Sequence, residues 1–407
     1  DGAYHYAIDA LDRHFNTKPR SAATEFLKQS ESLQLDEYYR GRPEYAVARY
    51  YESRGVRAFR TENELWVSLF GLLFWDLLFE STKTYSPFEG LPSQLIDETF
   101  YVRNNDVIEQ RLQDLSESER SIRRILQSAI QHHGAQTGVF RWRTRTINAI
   151  QALIAHASPV AIGAVLRRMS QSFSAYTKGY PDLMLIEDGK VAFVEVKTPG
   201  DQLRSHQLRQ IIALNEVGFP TSVVKVEWVP NPQQAYVVVD VETTGGRASA
   251  HRVTEIGAVK IVNGKTVDQF STLINPERSI PAKITRLTGI RDDMVASAPR
   301  FSDIATEFAA FLDGSVFCAH NVNFDYGFVR EEFARVGHRL RLPKRCTCAS
   351  MRQKFPSLKS YALNALCREF DIPLKQHHRA LCDAQAAAEL LLLSLPEDGP
   401  TVGRRAS

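Results

Sequence analysis

The sequence predicts an α/β protein in which mixed sheets flanked by helices follow a helical N-terminal region. Three observations carry this reading. Three consecutive valines at 237–239, with Gly245 shortly after, read as a buried central strand and its turn. Asp188-Gly189 and Asn263-Gly264 each separate apolar or alternating segments and mark two-residue hairpins. An alanine-rich run at 380–392 has strong helix propensity.

In chain order, residues 1–170 form a mostly helical region, with helix-compatible patterns at 44–53, 62–79, 107–129 and 146–169. The apolar stretch at 65–79 contains Trp66, Ser68 and Asp76, is too short to span a bilayer, and reads as a buried helix. Residues 171–229 hold the first hairpin, a helix at 205–217 and a closing strand at 222–229. Pro230-Asn231-Pro232 opens a breaker-rich linker, 230–234. A second α/β domain occupies 235–395, and the polar tail 396–407 is expected to be disordered. The chain begins with Asp1 rather than methionine, so residue 1 need not be a native N-terminus.

The length of 407 residues suits two or three domains, each able to bury a core. Hydrophobic content of 43% and charged content of 24% fit a globular protein, and no segment suits a membrane span or a secretory signal. A net charge of +3 gives no global nucleic-acid signature, so phosphate binding would fall to local clusters at 141–145 (RWRTR) or 339–345 (RLRLPKR), with Arg352, Lys354 and Lys359 following. Five cysteines (Cys318, Cys346, Cys348, Cys367, Cys382), an odd number without a framework spacing, point to a reducing compartment. Cys318 and Cys382 lie in apolar segments and read as packing residues.

Three separated motifs, YVVVDVETTG from Tyr236, HNVNFD from His320 and HRALCDA from His378, contribute Asp240, Glu242, Asp325, His378 and Asp383. Side chains alternate along a strand, so Asp240 and Glu242 project from one face, where they repel unless a cation lies between them. Hard oxygen ligands favour magnesium or manganese. A histidine titrating near neutrality suits a base that deprotonates water. Four carboxylates and a histidine therefore predict two-metal hydrolysis of phosphodiesters. A lone Asp-x-Glu is usually a solvated edge; three motifs in this order argue against that.

Residues 234–395 resemble the DnaQ-like exonucleases, the DEDDh group of RNase H-like 3′–5′ exonucleases, and the segment TEIGAVKIVNGKTVDQF from Thr254 shares the likeness. The resemblance implies an RNase H-like fold, two Mg2+ or Mn2+ ions held by Asp240, Glu242, Asp325 and Asp383, and His378 as base. The five-residue step to Asp383 selects His378 over His377. Thr243 and Thr244 would lie beside the 3′-terminal nucleotide. The substrate would be single-stranded 3′ ends of DNA, with RNA left open because the family includes enzymes acting on RNA.

A second constellation lies upstream, in GYPDLMLIEDGKVAFVEVKTPGD from Gly179. A two-residue turn at Asp188-Gly189 places Asp182 opposite Glu195, with Lys197 on the same face. Two carboxylates can bind a metal, and a lysine can orient water or stabilise charge developing on phosphorus. The pattern, with its flanks through Gln207 and the text from Thr61 (TENELWVSLFGLLFWDLLFE), resembles the restriction-endonuclease-like VRR-NUC domain of the Fanconi-associated nucleases, which act on branched and flapped DNA. It implies Asp182, Glu195 and Lys197 as catalytic, Gln207 in support, and one or two divalent ions. The family also places a glutamate a few residues before a tryptophan. In QHHGAQTGVFRW that position falls near His133, and no acidic residue is obvious there. Either this half cuts DNA or it only binds it.

The two resemblances together predict a nuclease fusion, with partners drawn from repair or polymerase assemblies. The location expected is cytoplasmic, and nucleoid-associated in a bacterium. The alternative is a proofreading-type exonuclease subunit of a polymerase whose N-terminal half is a non-catalytic binding module.

Overall fold

The computed structural model describes residues 30–80, 90–117, 119–135, 137–374 and 377–397. The tail expected to be disordered lies almost wholly outside them. The chain divides into two compact units, one of Arg42–Glu227 with the residues up to Leu35, the other of Asp36–Gly41 with Trp228–Thr401.

In the first unit, β1 (Glu31–Asp36), β2 (Arg57–Arg60), β3 (Leu183–Glu187), β4 (Lys190–Lys197) and β5 (Thr221–Val229) form a sheet in the order β1-β5-β4-β3-β2. Asp188 and Gly189 turn the β3–β4 hairpin with positive φ of 49° and 74°, the backbone such a two-residue turn needs. Leu183 pairs with Val194 and Glu187 with Lys190, the register that turn dictates. The Ser205–Glu216 helix returns the chain to β5, which runs parallel to β4. The edge strands β1 and β2 come from the region read as helical. In β2, Arg57-Ala58-Phe59-Arg60 is too short to show a period.

One apolar core joins the helices to this sheet: Trp66, Phe70, Phe74, Phe100, Ile150 and Leu166 share a cluster with Met184 and Phe193 of the strands. Each such burial contributes about 1.5–3 kcal/mol before chain entropy is counted. The stretch expected as one helix at 146–169 is two, Thr144–His156 and Pro159–Gln171. Pro159 has no N–H to donate and starts the second helix instead of continuing the first. The 107–129 pattern likewise divides between Phe100–Glu117 and Glu119–Gln131.

In the second unit, β6 (Tyr236–Thr243), β7 (Val253–Val262), β8 (Lys265–Leu273), β9 (Val316–Ala319) and β10 (Lys344–Cys346) form a mixed sheet in the order β10-β9-β6-β7-β8. β7 is antiparallel to β6 and β8, while β9 runs parallel to β6 and β10. The strand period divides β6 between two cores. Val237, Val239 and Val241 pack with the Phe301–Leu312 and Val322–Arg335 helices, whereas Tyr236 and Val238 pack with the Ala380–Ser394 helix. Continuing that alternation puts Asp240 and Glu242 on the Ala380–Ser394 face. Asn263 and Gly264 turn the β7–β8 hairpin with φ of 51° and 70°. Cys318 is buried as expected, but Cys382 is only half-buried. Among the described residues no helix is long and apolar enough to cross a membrane.

Candidate active sites

The carboxylates of the second unit gather at the carboxyl ends of parallel strands, where open α/β sheets leave a crevice. β6 presents Asp240 and Glu242, and the first turn of the Ala380–Ser394 helix presents Asp383. One ligand oxygen from each of these three lies within 4.8 Å of the others. Asp325, in the first turn of the Val322–Arg335 helix, accepts a hydrogen bond from the Val241 N–H at 3.2 Å. It is the strongest charged neighbour of Asp240.

Crowding of like charges in a poorly hydrated crevice governs the electrostatics. Burial, then Asp325, Asp383 and Glu242, push Asp240 well above the usual carboxylate range. Burial and Asp383 raise Glu242 to about 8, with Arg379 opposing. Burial lifts Asp325 to about 7 against the Val241 hydrogen bond. A positive charge among these oxygens would offset each of these shifts.

Both histidines adjoin Asp383. His378 holds a left-handed backbone (φ 68°) and donates its N–H to Asp383 Oδ2 at 3.1 Å. His377, set aside on spacing, has Nδ1 3.1 Å from both Asp383 oxygens. The two rings stack with centroids 4.0 Å apart. Burial and His377 lower the His378 pKa, which favours the neutral form a base requires.

Thr243 and Thr244 sit at the end of β6, buried. Thr243 Oγ1 donates to the Gly245 carbonyl at 2.9 Å, and Thr244 Oγ1 accepts the Arg252 N–H at 3.1 Å. Their hydroxyls thus hold the loop after the strand. His320, which opens the second motif, uses both ring nitrogens on Thr347 Oγ1 (3.0 Å) and the Tyr361 carbonyl (2.9 Å), a brace between segments.

The first unit brings together the second predicted set. Val196 donates its N–H to Asp182 Oδ2 at 2.8 Å, fixing Asp182 beside Glu195 at the open end of the hairpin. Lys197 Nζ lies 2.9 Å from Glu195 Oε1 and donates to Gln207 Oε1 at 2.9 Å; the Gln207 amide donates to Glu195 Oε1. Asp182 rises to about 8 through burial and Glu195. Burial raises Glu195 as well, against the pull of Lys197. Glu195 Oε2 is buried and has no hydrogen-bond partner.

Sequence reasoning missed two acids near this site. Glu44, in the first turn of the Pro43–Glu52 helix, is near enough that its charge raises both Asp182 and Glu195. His133 is exposed, with its ring 5.4 Å from that of Trp142. A second acid, Glu62, adjoins the site through its backbone, its N–H donating to the Asp182 carbonyl at 3.3 Å. Nothing in the local text separates Glu44 from an ordinary first-turn acid. The basic clusters also change meaning. Arg143 and Arg145 pair with Glu64 (2.9 and 3.3 Å), and Arg345 grips buried Glu37 (2.9 Å), so three of these guanidiniums already have carboxylate partners.

Comparison with known proteins agrees with this geometry. Residues 237–391 match the family model described as Exonuclease, and residues 117–228 match the VRR-NUC domain model. The chain joins a VRR-NUC domain to an exonuclease domain. It is a nuclease. PolC-type DNA polymerase III of Clostridium perfringens is 42% identical over 159 residues, 39% of this chain and 11% of that protein. The Bacillus subtilis PolC-type enzyme is 39% identical over 167 residues, 40% of this chain and 12% of its own length. The chain thus spans about an eighth of these relatives at most. The crystal structure of paFAN1 bound to 2-nucleotide 5′-flap DNA with a gap shares 26% identity, covering 54% of this chain and 41% of that one, with a TM-score of 0.47.

Divalent cations fit both domains. In the exonuclease domain the neighbouring carboxylates oppose the ionisation of Asp240 and Glu242, the condition a bound cation relieves. In the VRR-NUC domain the orphaned Glu195 Oε2 beside Asp182 is an oxygen in want of a partner.

Proposed function

We propose that the exonuclease domain removes nucleotides from the 3′ end of DNA, releasing nucleoside 5′-monophosphates, and that the VRR-NUC domain binds and cuts branched or flapped DNA in repair. The observation that carries the first part is the convergence of Asp240, Glu242 and Asp383 within 4.8 Å, with Asp325 behind Asp240. Asp240, Glu242, Asp325 and Asp383 would hold two Mg2+ or Mn2+ ions, which activate water and stabilise the leaving 3′ oxygen. His378, kept neutral by burial and tied by its N–H to Asp383, takes the proton from the attacking water. Thr243 and Thr244 shape the loop beside the terminal nucleotide.

In the VRR-NUC domain, Asp182 and Glu195 would hold one or two such ions, with the charge of Glu44 close by. Lys197, positioned by Glu195 and Gln207, orients the water or meets the charge that develops on phosphorus. The likeness of this domain to branch-cutting nucleases supports the repair role. A proofreading role in a polymerase assembly is the second reading, favoured by the PolC-type relatives.

The test uses DNA labelled at either end as single strands, duplexes and 5′ flaps, with Mg2+ or Mn2+. Stepwise shortening of 5′-labelled strands with mononucleotide release is expected, plus an incision near the flap junction. Release of mononucleotides from the 5′ end instead would overturn the assigned direction. Flaps cut no better than plain ends would remove the branch role, and co-purification with a polymerase or sliding clamp would favour the second reading.

A further inference from the structure

Across the sheet from Glu242 stands another carboxylate. Glu255 of β7 is its direct partner in the antiparallel ladder, so both side chains share one face of the sheet. Two opposed glutamates repel, and Glu255 is only 3% exposed. Its position suggests a further metal ligand, but its hydrogen bonds argue otherwise. Oε1 accepts from Arg379 Nε at 3.1 Å and from an Arg379 terminal nitrogen at 2.7 Å. Oε2 accepts from Arg379 Nε at 3.2 Å and from the Ala380 N–H at 3.0 Å. Three N–H groups, that of Arg379 Nε shared between the two oxygens, thus hold both oxygens of this carboxylate.

What these bonds hold is the start of the helix that carries Asp383. Gly257, two residues along the same face, lets that start rest on the strand: a Cβ there would lie 2.2 Å from the Ala380 carbonyl carbon and the Leu381 nitrogen. Just before it, His378 keeps a left-handed backbone that a side chain rarely adopts unless its surroundings impose it. The 378–383 segment is therefore pinned by Glu255 at Arg379 and Ala380, and by Asp383 at the His378 N–H.

We propose that Glu255 is a positioning residue: through Arg379 and the Ala380 N–H it fixes His378 and Asp383 against Asp240 and Glu242, without itself holding metal. This rests on the exonuclease reading above. The charged clamp joins segments 124 residues apart in the chain, so one side chain sets the spacing between the strand carboxylates and the base.

The experiment compares intact protein with Glu255→Gln, Arg379→Gln, the double variant and Asp240→Ala on 5′-labelled single-stranded DNA over a Mn2+ titration. Losing charge-assisted hydrogen bonds should lower kcat about tenfold or more in each single variant. KM should stay within about twofold, and the half-saturating Mn2+ concentration should shift alike in the two single variants, since both act on the placement of Asp383. The double variant should be no slower than the slower single, because both act through one clamp. In the metal-free protein, amide hydrogen exchange over residues 377–384 should quicken about tenfold in Arg379→Gln. Should Glu255→Gln not fold, Arg379→Gln, more exposed, carries the same comparison. An unchanged kcat in Arg379→Gln overturns the proposal. So does a higher Mn2+ requirement in Glu255→Gln that Arg379→Gln does not share, which would make Glu255 a ligand, or a multiplicative double variant. If Asp240→Ala itself still trims 3′ ends, the exonuclease reading fails instead.

Discussion

The VRR-NUC site contains its own cation, and the exonuclease site does not assemble around one. Lys197 lies 2.9 Å from Glu195, favouring its ionised form against burial. In the other domain Asp240, Glu242 and Asp325 face one another, and the guanidinium that eases Glu242, that of Arg379, is already engaged by Glu255. The local geometry differs in the same sense. One hairpin supplies Asp182, Glu195 and Lys197, whereas the exonuclease carboxylates come from one strand and two helices. A site built on a single turn needs little tertiary structure to bring its main groups together. A site built from three elements needs clamps.

The largest expected effect separates the domains. Asp240→Ala/Asp383→Ala should reduce 3′ trimming by at least about 10³-fold and leave flap incision intact, with Asp182→Ala/Glu195→Ala giving the converse. Loss of both activities in the first variant would make the VRR-NUC domain a binding module and end the comparison as drawn.

Next come the paired histidines. His378→Ala should lower kcat by about 10²–10⁴-fold, the usual worth of a general base. His377→Ala should cost less than about tenfold, as a neighbour of Asp383 that holds no proton in the reaction. Single-turnover rates check both; the reverse order would reassign the base to His377.

A smaller effect sharpens the view of the VRR-NUC site. Glu44→Gln should slow flap incision about tenfold or more, while His133→Ala leaves it within about twofold. Equal rates for Glu44→Gln and the intact protein would return the site to Asp182 and Glu195 alone.

The smallest effect is on stability. Glu242 at about 8, Asp325 at about 7 and Asp182 at about 8 all lie above their unfolded values. Between roughly pH 4 and 8 the native metal-free protein therefore binds more protons than the unfolded chain, and stability present at the acid end is lost as pH rises. The metal-free Tm should fall by about several degrees from pH 5 to pH 8, less in Glu242→Gln, and divalent metal should restore it. A Tm that rises over this range in calorimetry would contradict these environments.

Much of the fold was legible in short-range pattern. The Asp-Gly and Asn-Gly turns appear with positive φ at both residues, and the first fixes the register that sets Asp182 against Glu195. The valine run becomes a central strand because alternate residues enter two cores. Reading was weaker where pattern is thin. The short edge strand β2 carries little period, and the helix expected at 146–169 ignored what Pro159 does to a backbone ladder.

The sequence by itself determined which chemical groups exist and which of them share a strand face: Asp240 with Glu242, and Asp182 with Glu195 and Lys197, because periodicity and turn geometry act over a few residues. Only the tertiary structure decided what those groups meet. It brought Glu44 to a hairpin about 140 residues away in the chain, engaged Arg143, Arg145 and Arg345 with carboxylates, and bound both oxygens of Glu255 to Arg379 and Ala380. Such pairings depend on which surfaces pack together, and packing joins residues whose separation along the chain carries no signal of it.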